Sequence, residues 1–174
     1  IGRISQEKGL ENAIKAFVEL PKCDFVIAGT GPLCEELQEK YKDYRNIKFV
    51  GFTDGETKQK LFMHAKAVII PSIWYETSSM VTIEAFRCGI PVISNAWGAI
   101  DGIATNNVNA LLAGTESDTE QERIENIINA VKTFENDEAF RIRLADNARK
   151  TFLEEMETEK SIANLINIYK ELIK

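Results

Sequence analysis

The chain predicts a doubly wound, Rossmann-like α/β domain built on a parallel sheet. Two observations carry this. Short apolar, β-rich runs recur between glycine and proline breakers, and segments with helical i, i+3, i+4 apolar spacing lie between them. Such alternation means βαβ units whose strands are buried on both faces. The runs are Phe25–Ala28 closed by Gly29, Ile47–Val50 closed by Gly51, Val68–Ile70 ended by Pro71, Pro91–Ser94 after Gly89, and a weaker fifth at Ala110–Leu112. Leu10, Ala13, Ile14, Phe17 and Leu20 form the first helical stripe. Leu61, Phe62 and Ala65 suggest a second, and Ile83, Ala85 and Phe86 a third. The strand pattern stops near Leu112. Three helical stretches follow, over roughly Thr119–Phe134, Asp137–Glu155 and Glu159–Ile173. They are expected to cover the sheet; alternatively the last, with Ile162, Leu165, Ile166, Tyr169 and Ile173 on one face, docks on another domain.

With 174 residues, 44% of them apolar, the chain has the size and composition of one globular domain. Twenty-one basic against 27 acidic residues give a net charge of −6, and no basic block is present. Nucleic acid is therefore not an expected partner, although a local basic pocket for a phosphate is compatible with this balance. The apolar runs fall far short of a membrane-spanning helix, and no signal peptide is visible. Cys23, Cys34 and Cys88 are odd in number, far apart and in no CxxC pair. This disfavours a disulfide framework or a structural zinc, suits a reducing cytoplasm, and suggests three small buried or half-buried residues. The chain starts without Met, and Ile1-Gly2-Arg3 reads like the end of a strand already under way. Residues 1–174 are expected to be one domain of a longer protein.

In an open parallel sheet, ligands bind beyond the carboxyl ends of the strands, so the loops that follow the strands are the candidates. The first, Gly2 to Gly9, brings Arg3 and Lys8 to a helix start. Two cations and a helix N-terminus suit a diphosphate, Arg as a planar fork and Lys as a point charge; they also suit two solvated surface cations. The second, Ala28-Gly29-Thr30-Gly31-Pro32, lets a backbone or a ligand approach closely, and Pro32 suits the first turn of a helix. It is not a dinucleotide fingerprint, because Cys34 stands where the third glycine belongs. The third runs from Pro71 to Ala85 and holds Glu76 and Glu84. On one continuous helix these carboxylates would lie about 80° apart. Thr77, Ser78 and Ser79 are good N-cap residues, however, so a helix is expected to begin there, with Glu76 in the loop and Glu84 within the helix. A carboxylate accepts two hydroxyl hydrogen bonds, as from a vicinal diol, and the helix start offers free N–H groups to a phosphate. An exposed helix position is the plainer reading of Glu84. The fourth loop, Asn95 to Asp101, is rich in small residues and passes over a ligand or simply connects. His64, the only histidine, reads as a satisfied surface or core residue.

Gly2-Arg3…Lys8-Gly9, Ala28-Gly29-x-Gly31-Pro32, Gly51-Phe52, Pro71-Ser72…Glu76-x7-Glu84-Ala85, Cys88-Gly89-x-Pro91-Val92-Ile93 and Gly98-x-x-Asp101 follow one another in this order. Together, over Ile1 to about Phe152, they resemble the carboxy-terminal, donor-binding domain of the retaining GT-B glycosyltransferases, the glycosyl transferases group 1 family. The resemblance implies one half of a GT-B fold and a UDP- or GDP-linked sugar as donor. It also implies transfer of a glycosyl group, with retained configuration, to a saccharide or lipid-linked acceptor held by the chain's own amino-terminal domain. Arg3 and Lys8 would neutralise the diphosphate. Glu84 would bind the ribose hydroxyls, and Glu76 the transferred sugar. The backbone from Ser78 through Ser79 to Met80 would hold sugar and phosphate oxygens, beside Gly31. The base would rest near Gly51, Phe52 and Thr53, with Lys58 as a further contact. Neither metal nor cofactor is implied. Such enzymes work in the cytoplasm, in some cases at the inner face of the membrane. The resemblance is compatible with two alternatives, a GT-B-type nucleotide-sugar epimerase domain and an inactive nucleotide-binding module. Thr77-Ser78-Ser79 stands where many members have Gly-Phe-Gly, and Trp97-Gly98 where many have Gly-Gly.

Overall fold

The computed structural model describes residues 1–75, 79–100 and 102–173. Glu76, Thr77, Ser78 and Asp101 lie outside these, so what was expected of Glu76, Ser78 and Asp101 is not addressed by the fold.

The elements alternate as expected. They are α1 (Leu10–Val18), β1 (Phe25–Ala28), α2 (Cys34–Lys40), β2 (Ile47–Gly51), α3 (Gly55–His64), β3 (Val68–Ile70), α4 (Met80–Arg87), β4 (Val92–Ser94) and β5 (Ala110–Leu112). Then come α5 (Glu120–Asn136), α6 (Glu138–Thr151), a wide π-type turn at Phe152–Met156, and α7 (Thr158–Leu172). All strand pairings are parallel, so the α/β class holds. Among the described residues the strands form two sheets rather than one, β1-β2 and β3-β4-β5. The core divides in the same way. One cluster gathers Ile14, Phe17, Ile27, Leu37, Ile127 and Phe134; the other gathers Phe62, Val68, Ile70, Phe86, Val92 and Ala148.

Two of the three carboxy-terminal helices cover these clusters. Ile124, Ile127, Val131 and Phe134 of α5 are buried, as are Leu144 and Ala148 of α6. The expectation fails for α7. None of its residues is buried, and Ile162, Leu165, Ile166 and Tyr169 all stand in solvent. It packs on the Phe152–Met156 turn. The cysteines differ too: Cys23 and Cys34 are half-buried, but Cys88 is exposed just past α4.

The turn between α1 and β1 rests on one buried side chain. Asn46 Nδ2 donates to the carbonyl oxygens of Phe17 (2.8 Å), Leu20 (3.3 Å) and Cys23 (3.1 Å). Replacing Asn46 by alanine removes that shared donor from a buried site. We expect a loss of about 1–2 kcal/mol in urea unfolding, with the slope unchanged.

The start of α5 is a capping box, with Thr119 Oγ1 accepting from the Glu122 N–H and the Glu122 carboxylate accepting from the Thr119 N–H. That backbone N–H, and then the Thr119 hydroxyl, hold the Glu122 carboxyl below its usual range. The Thr115 hydroxyl and N–H do the same for Asp118. Both folded values lie below the unfolded ones, so this stability is complete above the unfolded values, near 4, and is lost as pH falls through the folded ones. The melting temperature is therefore expected to fall below about pH 4, and to fall less in an Asp118→Asn, Glu122→Gln double variant.

Candidate functional site

The loops at the carboxyl ends of the strands are tied to one another by backbone. Gly2 N–H donates to the Ala28 carbonyl and Ile4 N–H to Thr30, both at 2.9 Å. This fixes the first loop on the end of β1. The Ile73 N–H then donates to the Glu7 carbonyl at 3.0 Å, joining the first loop to the third. Gly9 sits against Pro71, at a φ of +60° and so close that a Cβ would strike the Pro71 carbonyl. Asn95, buried just after β4, donates from Nδ2 to the Ser72 carbonyl at 2.6 Å and ties the fourth loop to the third.

On this frame Arg3, Lys8, Ser79 and Met80 line one cleft with Ser72. Arg3 is exposed and Lys8 half-buried. Glu7 lies near both cations; its carboxyl is held below the usual range first by the Ser5 hydroxyl, which donates to Oε1 at 2.5 Å, with Arg3 and Lys8 adding to the effect. The third-loop helix begins where its N-cap residues indicated. Met80 opens α4 and Ser79 caps it, accepting from the Thr82 N–H. Glu84 follows within the first turns of α4. It is neither free nor simply solvated, because Lys58 of α3 donates to its Oε1 at 2.6 Å. Both side chains are about one-third exposed, at 29% and 34%. Neither residue of this pair is among those that line the cleft.

The Lys58 ammonium holds the Glu84 carboxylate. One oxygen of Glu84 is engaged, and the other is a further acceptor for a diol. Phe52 presents its ring to solvent, 73% exposed. Thr53 Oγ1 is shielded from solvent with no hydrogen-bond partner, the condition of a hydroxyl that a polar ligand would satisfy. Gly31 is half-buried. It presses on the backbone of Ile4, which makes it a spacer for the Arg3 loop. His64 ends α3 exposed. Two features had no sequence signal beyond their place after a strand: the Asn95 tie, and the Arg123 guanidinium 5.6 Å over the ring of Trp97 in the fourth loop. Among the described residues no group of His, Cys, Asp or Glu is arranged to hold a metal, and no helix is long and apolar enough to cross a membrane.

Comparison with known proteins gives these residues a context. A glycosyltransferase of Methanocaldococcus jannaschii is 29% identical over 180 residues, a match covering 98% of this chain and 43% of that protein. The chain thus spans less than half of that relative. Among solved structures, Anabaena HepE in complex with UDP and glucose superposes with a TM-score of 0.81 at 20% identity, over 95% of this chain and 47% of its own. The carboxy-terminal domain of a glycosyl transferase group 1 family protein from Francisella tularensis superposes with a TM-score of 0.77 at 22% identity, over 91% of this chain and 84% of its own. These likenesses identify the fold as one half of a GT-B architecture. The model of the glycosyl transferases group 1 family matches residues 1–151, and the chain belongs to that family.

Proposed function

We propose that this domain holds the nucleoside-diphosphate part of a UDP- or GDP-linked sugar for transfer of the glycosyl group, with retained configuration, to a saccharide or lipid-linked acceptor bound by another domain of the same protein. The observation that carries the reading is the placement of Arg3, Lys8 and Ser79 on one cleft. HepE carries UDP and glucose on the same fold, which supports a nucleotide sugar as the ligand class.

The roles follow from chemistry. Departure of the diphosphate builds negative charge, and Arg3 and Lys8 supply cations at that edge, so no metal is needed to neutralise it. The N-terminus of α4 adds N–H groups at Ser79 and Met80 for phosphate or sugar oxygens. Glu84, oriented by Lys58, accepts the ribose hydroxyls through its second oxygen. Phe52 and Thr53 flank the base, the ring by stacking and the hydroxyl by hydrogen bonding. By resemblance to the family, Glu76 contacts the transferred sugar and the Ser78 backbone holds sugar and phosphate oxygens.

Calorimetric titration with UDP, GDP and ADP checks this. Saturable binding of UDP or GDP, with ADP at least tenfold weaker, is the expected result. Equal binding of all three would remove the base contact at Phe52 and Thr53. No binding of any would remove a donor site preformed in this domain.

A further inference from the structure

Two aromatic side chains, Trp74 and Tyr75, stand in water in the third loop, 66% and 53% exposed. The other tryptophan, Trp97, is buried, with the Arg123 guanidinium over its ring. The stretch that carries Trp74 is tied down on both sides. Before it, Asn95 Nδ2 donates to the Ser72 carbonyl at 2.6 Å, and the Ile73 N–H donates to the Glu7 carbonyl at 3.0 Å. After it, the Tyr75 hydroxyl donates to Oε2 of Glu116, in the loop between β5 and α5. Glu116 is fixed in turn, because Arg123 Nη2 of α5 donates to its carbonyl at 3.1 Å. Trp74 is thus an exposed indole on a backbone tethered through both of its neighbours. Such a ring loses little further freedom when a ligand stacks on it.

The surroundings point to the kind of ligand. The face of an indole is negative and attracts polarised C–H groups, such as those on the apolar face of a pyranose. Next to Trp74 in the chain is the Tyr75 hydroxyl, and bonded to that is the exposed Glu116 carboxylate. This carboxylate accepts from Tyr75 at one oxygen and has further acceptor sites for hydroxyl groups. A sugar ring offers both a C–H face and hydroxyls. A bare polyol offers hydroxyls without the face, and a lipid chain offers C–H groups without the hydroxyls.

The position of the ring separates it from the donor. Ser72 and Ser79 line the cleft that holds Arg3 and Lys8, whereas Trp74 does not. The indole therefore stands outside the diphosphate cleft, two residues past Ser72 on its rim. We propose that Trp74 is a stacking platform for a pyranose of the acceptor, so that the acceptor presents a sugar ring here rather than a lipid hydroxyl alone. The stacking itself rests on the exposed, tethered ring and its polar neighbours. Only the assignment of that sugar to the acceptor rests on the proposed function.

The test follows the indole Nε1–H signals of the two tryptophans by NMR. The chain is titrated with maltose, cellobiose, lactose, chitobiose and methyl α-mannoside, each to about 50 mM, because one sugar on one ring binds weakly. Glycerol is the control. At least one saccharide is expected to shift the Trp74 signal saturably, with Trp97 unmoved and glycerol without effect. Read at the Ile73 and Tyr75 amides, Trp74→Ala is expected to weaken that saccharide by about tenfold or more, and Trp74→Phe, which keeps an aromatic face, by about threefold at most. No saturable shift with any of the saccharides would overturn the proposal, and so would equal affinity in Trp74→Ala. A Trp74 signal that moves with protein concentration alone would make a second copy the occupant and overturn it as well. The titration is repeated with saturating UDP or GDP, whose own binding is read at the Arg3 and Lys8 amides, and the saccharide is expected to stay bound. Displacement by UDP-glucose or GDP-mannose, but not by the nucleotide alone, would give the ring to the donor's sugar and end the acceptor assignment. If neither nucleotide moves the Arg3 and Lys8 amides, the proposed function fails and takes the acceptor assignment with it, while the stacking is still decided at Trp74.

Discussion

Replacing Glu84 by alanine is expected to weaken binding of the preferred nucleoside diphosphate by at least tenfold. A hydrogen bond to a charged acceptor contributes about 1.5–3 kcal/mol, or about 10- to 150-fold in affinity. The substitution removes that acceptor and also releases Lys58, which is bonded to Glu84 Oε1. A released lysine could turn to the diphosphate and mask part of the loss, so Lys58→Met is measured alone and in combination. The ribose assignment has its own control. The 2′,3′-dideoxy nucleotide should lose affinity for the unchanged chain and lose nothing further on Glu84→Ala, because the hydroxyls and the carboxylate form one interaction. If the dideoxy nucleotide binds the unchanged chain as well as the natural one, Glu84 does not hold the ribose, whatever the alanine variant does. Stability is checked alongside; a pair one-third exposed is expected to contribute less than about 1 kcal/mol to folding, so a large drop in melting temperature would expose an indirect cause.

The ladder of elements was legible because short unbroken apolar runs between breakers mark the strands of a parallel sheet, and Phe25–Ala28, Val68–Ile70 and Ala110–Leu112 are such runs with the expected bounds. The start of α4 was legible from cap chemistry, since Ser79 accepts the Thr82 N–H as an N-cap residue should. Helix α2 was marked only by Pro32, because Cys34–Lys40 carries one buried residue, Leu37, too few to make a stripe. The exposure of α7 was legible only as one of two readings. Its apolar face is as periodic as that of α5, and periodicity tells which face is apolar but not what it meets. The Lys58–Glu84 pair joins residues 26 apart on different helices, and no spacing rule on either helix signals it. The two separate sheets escaped sequence reading for a similar reason: strand propensity is local, whereas the pairing of β1 with a neighbour is a property of the assembled edge.

Gly31 shows how one observation can be read two ways until the backbone is in place. Its loop suggested the close approach of a backbone or of a ligand, and the backbone of Ile4 does approach it. A Cβ built on Gly31 would overlap the Ile4 carbonyl oxygen and lie 2.7 Å from both the carbonyl carbon and the amide nitrogen. Backbone cannot rotate away as a long side chain can, so Gly31→Ala must push Ile4 and its neighbours outward. The Gly31 backbone itself does not require glycine, as its φ is not positive, which makes the effect purely one of space. Ile4 is only 2% exposed in the first core cluster, and its N–H bond to Thr30 at 2.9 Å anchors the loop that carries Arg3. The expected cost is about 3 kcal/mol in unfolding, at the upper end of what overpacking exacts. Nucleoside-diphosphate affinity should fall as well, because Arg3 moves with Ile4. An Ile4→Val, Gly31→Ala double variant separates the two explanations. The overlap is with backbone atoms, so trimming the side chain should rescue neither stability nor binding. Recovery of both would mean that the side chain, and not the carbonyl, sets the spacing between β1 and the Arg3 loop.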